Sequence, residues 1–156
     1  MISFYKSFIS ISLVGILSSN NSFTIQKEKI HKIEYRQRSG GKGGDFSYLE
    51  INKDSIYFLS GSRISKTDTI RKRTPLILWQ KILNVSIEDF KKVNSGKRTA
   101  HHDGTDTEIS LYTNLKKHSF VNGEYESMHN VSAFTKVLED EISNIRTEIY
   151  QSKQIQ

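Results

Sequence analysis

The chain has one proline, and it falls where the spacing of apolar residues changes. Ahead of Pro75 apolar residues recur at every second position, the repeat of a β-strand with one face buried. In "KIHKIEYRQR" Ile33 and Tyr35 share a face. "FSYLEIN" sets Phe46 and Tyr48 against Leu49 and Ile51, and "SIYFLSG" reads as a third strand. "SRISKTDTIRKR" alternates Ile64, Lys66, Asp68 and Ile70, which predicts a more exposed fourth strand at a sheet edge, where charge discourages stray pairing. Two reversals separate the first three segments: "SGGKGGD", where glycine tolerates positive φ, and "NKD".

At Pro75 the repeat turns helical. Thr74 suits a helix cap and Pro75 the first helical position, with Leu76, Trp79 and Leu83 on one stripe. "SIEDFKKV" predicts a further turn or two capped by Ser86, followed by a polar loop from Asn94 to about Asp106. "TEISLYT" and "KKHSFVN" flank Asn114 as a hairpin with Ile109 and Leu111 facing inward. A long terminal helix follows from the spacing of Phe134, Leu138, Ile142, Ile145 and Ile149. The order is β-β-β-β-α-β-β-α. Short connections favour an α+β fold: an antiparallel sheet of about six strands with two helices packed on one face.

A chain of 156 residues suits one domain, and 26% charged residues is ordinary for a folded protein. Residues 1–22 read as a signal peptide and 23–156 as a single domain. Lys6 supplies the positive start and "FISISLVGIL" the apolar run. That run is far shorter than the roughly 20 residues that span a bilayer, so membrane contact is expected only in transit. The expected location is periplasmic or extracellular. Loss of Lys6 takes the net charge from +6 to +5. The absence of cysteine excludes disulfides, thiolate metal sites and a cysteine nucleophile.

"RTAHHDGTDTEISLY" is the stretch richest in candidate chemistry. In an extended chain His101 and His102 point to opposite sides, so they do not both reach one ion without a bend. His101 and Asp103 can share a face. Asp103-Gly104 is a turn signal placed where a turn must deliver the next strand, which favours a turn over a metal centre. A metal-dependent hydrolase using His101, Asp103 and His118 requires that those groups converge in one pocket. "SGGKGGD" lacks the order of a Walker loop, since its lysine precedes two glycines and a strand. No G-x-S-x-G elbow occurs. The basic pairs are interspersed with acids, which argues against nucleic acid. No cofactor or metal is expected.

The strand–glycine loop–strand "IEYRQRSGGKGGDFSYLEI", the helical "TPLILWQKIL" and "DGTDTEISLYTNLKKHSF" with its terminal helix together resemble small exported domains of unknown function. The same order is similar to that of emfourin-like proteins, inhibitors of thermolysin-like metalloproteases. The resemblance spans about residues 30–146, with Gly40-Gly41 and Asp103 at matching positions. The chain departs from that pattern by the longer glycine loop and by the charged segment 62–73. The resemblance implies a non-catalytic domain that binds another protein, with a metalloprotease as one partner. An envelope-located binding or immunity-type protein with an unrelated partner is the alternative. Loops 39–45 and 94–106 are the expected contact surface, with Gly40, Gly41, Lys42, Gly43, His101, His102 and Asp103 as partner-binding residues.

Overall fold

The computed structural model describes residues 27–100 and 103–154, so the expected signal peptide and both histidines of the His101-His102 pair lie outside the described residues. The strands are β1 (Ile30–Ser39), β2 (Phe46–Asn52), β3 (Ser55–Gly61), β4 (Asp68–Arg73), β5 (Thr105–Thr113) and β6 (Lys117–Val121). They form one antiparallel sheet of order β4-β3-β2-β1-β5-β6, and β4 occupies an edge as expected.

The period-two alternation decides which face is covered. Ile33 and Tyr35 of β1 align with Ile51 and Leu49 of β2, and with Leu111 and Ile109 of β5. Ile56 and Phe58 continue the same rows on β3. All eight side chains are buried, and they form one core with residues of the helices. The opposite parity, including Arg36, Tyr48, Tyr57, Glu108 and Lys117, makes up an open face without helices. One bulge, between Ile30 and Lys32, breaks the β1–β5 register.

The helices α1 (Leu76–Leu83), α2 (Ile87–Lys91), α3 (Tyr125–Met128) and α4 (Ser132–Gln154) cover the buried face. In α4 the expected stripe is realised: Phe134, Leu138, Ile142 and Ile145 are buried, and Ile149 packs at the margin. Ser86 caps α2 by accepting from the Asp89 amide at 3.1 Å. The start of α1 differs from expectation. Pro75 is itself the cap, with ψ of 136°, and the Thr74 hydroxyl donates to the Asn52 carbonyl at 2.7 Å. The buried residues of α1 are Leu78, Trp79 and Ile82, whereas Leu76 and Leu83 are 70% and 46% exposed. Only Trp79 of the expected stripe faces the core. The single turn α3, followed by a 3-10 turn at His129–Val131, was not expected. Among the described residues no helix is long and apolar enough to cross a membrane.

Two ion-pair groups tie the periphery to this frame. Lys72 of edge strand β4 lies 2.7 Å from Glu148 and 3.1 Å from Glu141 of α4, while Lys153 lies 2.8 Å from Asp68. On the other side Glu28, just ahead of β1, meets Lys91 at 2.8 Å, His118 at 2.6 Å and the Thr113 hydroxyl at 2.7 Å.

Candidate contact surface at the glycine-loop end of the sheet

Antiparallel pairing of β1 with both β2 and β5 brings the loop after β1 and the loop before β5 to the same end of the sheet. The two do more than lie close. The Gly40 amide donates to the Gly104 carbonyl at 2.7 Å, and the Ser39 and Thr105 hydroxyls are 3.1 Å apart. A β-carbon at Gly40 would collide with the Ala100 carbonyl and lie 2.8 Å from the Asp103 amide, so only glycine lets the second loop settle there. Gly41 has φ of 82° and faces the Asp103 carboxylate.

The turn expected at Asp103-Gly104 is present. Asp103 has φ of 64°, and the Gly104 amide donates to the Thr99 carbonyl at 3.0 Å. The residue that shapes the loop is a different aspartate. Asp106 accepts hydrogen bonds from the Thr99 and Ala100 amides and from the Asn122 side-chain amide, the last at 2.8 Å. Those donors, the Thr99 amide foremost, hold the Asp106 carboxyl below the usual aspartate range. Asn122, with φ of 45°, also donates to the Lys97 carbonyl at 2.7 Å and accepts from the Thr107 amide at 2.7 Å. Its backbone oxygen takes the Gly96 amide at 3.0 Å. Loop 94–104 is thereby fastened at Gly96, Lys97, Thr99 and Ala100.

Of the expected contact residues, Gly40, Gly41 and Asp103 come together and are used in joining the loops. Lys42 is exposed at the tip, and a β-carbon at Gly43 would meet open space. His101 and His102 lie outside the described residues. The expected hydrolase set does not gather at this end. His118 pairs with Leu111, six residues along β5 from Thr105, or about 20 Å at the rise of a strand. There its ring is 10% exposed and joined to Glu28. Among the described residues no three histidine, aspartate or glutamate side chains are grouped to hold a metal ion.

Sequence reasoning passed over Asp106 and Asn122. A signal for Asn122 was available: Asn122-Gly123 is a turn dipeptide, and asparagine tolerates left-handed backbone. None marked Asp106, because its donors come from a loop and from the residue just after β6 rather than from adjacent sequence.

The open face beside the loops is a mosaic of opposite charges. Glu34 is only 4% exposed at its centre, with Lys32 and Arg36 each 2.8 Å from its carboxylate. Burial pushes the Glu34 carboxyl up, but hydrogen bonding from Lys32 and the two neighbouring cations outweigh burial and leave it lowered. Arg36 stacks over Tyr48 at 5.4 Å and Arg71 over Tyr57 at 5.5 Å.

No protein-family model and no curated protein matches this chain.

Proposed function

We propose that this chain is an exported, non-catalytic domain that binds a protein partner through the end of the sheet where loops 39–45 and 94–104 meet. The observation that carries the reading is that Gly40 joins the two loops while Asp106 and Asn122 fasten the second of them to the end of the sheet. A loop fixed before it meets its partner loses little conformational freedom on binding, which favours affinity. Catalysis asks instead for reactive groups converging in a pocket. In the titratable cluster at Glu28, Lys91 and His118 the groups are engaged with one another.

The resemblance to emfourin-like proteins supplies the partner to test first, a thermolysin-like metalloprotease. Residual protease activity is measured against increasing molar ratios of the purified domain. The reading expects activity to fall as the domain approaches equimolar concentration, and to be retained when Lys42 is changed to Glu at the loop tip. Full activity in a large excess of wild-type domain removes the metalloprotease as partner. Affinity capture from an envelope fraction then tests the alternative, an envelope-located binding or immunity-type role.

A further inference from the structure

A cleft of about 480 Å³ opens beside the glycine loop, between it and the turn that joins β3 to β4. That is within the roughly 300–1,000 Å³ range of small-ligand sites. Arg36, Arg38 and Arg63 line it, and Phe46, Tyr48 and Leu59 supply its apolar surface. The floor is built by a packing device: Gly61 stands opposite Phe46 in the register, and a β-carbon there would be 3.1 Å from the Phe46 ring. Glycine on β3 therefore lets the ring lie across the neighbouring strand. Arg63 is held to the glycine loop by its amide, which donates to the Gly43 carbonyl at 3.4 Å, and its side chain runs past Gly44.

The three arginines differ in what they already touch. Arg36 is bound to Glu34 at 2.8 Å. The other arginine–carboxylate pairs among the described residues are those of Arg98 with Asp106 and Glu108. Arg38 and Arg63 make none, and both are exposed. Asp45 is the single carboxylate that lines the cleft. Two arginines without a carboxylate partner among the described residues thus line a space with an aromatic floor. Guanidinium is the side chain best matched to carboxylate, because it donates two parallel hydrogen bonds.

The geometry points to this cleft as the docking site for an acidic segment of a protein partner, whose carboxylate pairs with Arg38 and Arg63 while an adjacent apolar side chain lies on Phe46 and Leu59. The inference rests on the protein-binding reading above and names the chemistry of the partner. A nucleic acid or an anionic bilayer fits less well. Beyond this corner a continuous polyanion would meet a mixed surface, where Glu34, Glu50, Glu108 and Asp106 are interspersed with Lys32, Arg36, Arg71 and Lys117. A short acidic segment meets only the arginine-lined corner.

The test is fluorescence anisotropy with a labelled pentapeptide that alternates glutamate with phenylalanine or leucine, compared with the same peptide carrying glutamine. The glutamate peptide is expected to bind saturably, and more weakly as salt rises from about 50 to about 300 mM. The glutamine peptide, and an Arg38→Gln/Arg63→Gln variant with an unchanged unfolding midpoint, are each expected to bind about 10-fold more weakly, the loss of one charge-assisted contact. Equal binding of the two peptides to the wild-type domain overturns the proposal, and so does stronger binding to vesicles of anionic phospholipid than to the glutamate peptide. The protease titration separates this failure from that of the broader reading. Inhibition without peptide binding sinks the cleft alone, and peptide binding without inhibition sinks the metalloprotease alone.

Discussion

Gly40 has no space for a β-carbon, because the carbonyl of Ala100 and the amide of Asp103 lie where that atom would be. Gly43, three positions on, has open space around it. The sequence run "SGGKGGD" makes the two look alike, and it announces a reversal without saying which glycine is indispensable. The distinction comes from a loop about 60 residues away, beyond the reach of any local pattern. The consequence is measurable by urea denaturation. Gly40→Ala is expected to cost about 1–3 kcal/mol, the range of an overpacked site. Gly43→Ala is expected to stay within about 0.5 kcal/mol. A second residue-scale outcome concerns Asp106. In an Asp106→Ala variant the Thr99 and Ala100 amides lose their acceptor, so hydrogen exchange at those two amides is expected to accelerate relative to β5. Unchanged exchange at both would show that Asp106 does not fasten the loop.

Among the elements, five strands and the terminal helix were legible; β4, which begins only at Asp68 and leaves Ile64 and Lys66 in the turn before it, and α1 were half so. In α4 the residues between Phe134, Leu138, Ile142 and Ile145 are polar apart from Val137, so a single phase fits the stripe. In α1 the run "LILW" is apolar at four successive positions and carries no phase of its own. Which side faces inward is decided by packing on the sheet and on α4, and Leu78, Trp79 and Ile82 are the result. Truncation distinguishes the two phases. Ile82→Ala, at a site with 0% exposure, is expected to cost about 2–5 kcal/mol. Leu76→Ala, at 70% exposure, is expected to change stability by no more than about 0.5 kcal/mol. The reverse ranking in thermal or urea unfolding would restore the phase expected from sequence.

At the scale of the whole molecule the six strands could be counted from sequence, but their order was harder to see. β1 pairs with β2 through the glycine loop and with β5 across about half of the chain, and the second pairing leaves no mark in local spacing. The same long-range closure sets the acid response. Glu28 joins the start of the described chain to α2, β5 and β6, and hydrogen bonds from Lys91, His118 and Thr113 pull its carboxyl from an ordinary 4.5 to about 2. A carboxyl lowered by folding stabilises the protein above its unfolded value, and that contribution is lost as pH falls through the folded value. Stability is therefore expected to decline between pH 4.5 and about 2. A Glu28→Gln variant is expected to show a shallower decline across that window when thermal midpoints are compared.

The central claim joins all three scales: two loops fastened to one end of the sheet form the surface that a protein partner meets. Hydrogen exchange of the domain with and without a thermolysin-like metalloprotease tests it most directly. Added protection is expected at residues 39–45 and 94–104 and at the adjoining turn at Arg63, and nowhere else. Protection that falls on α1 or α4 while those loops stay unchanged would contradict it.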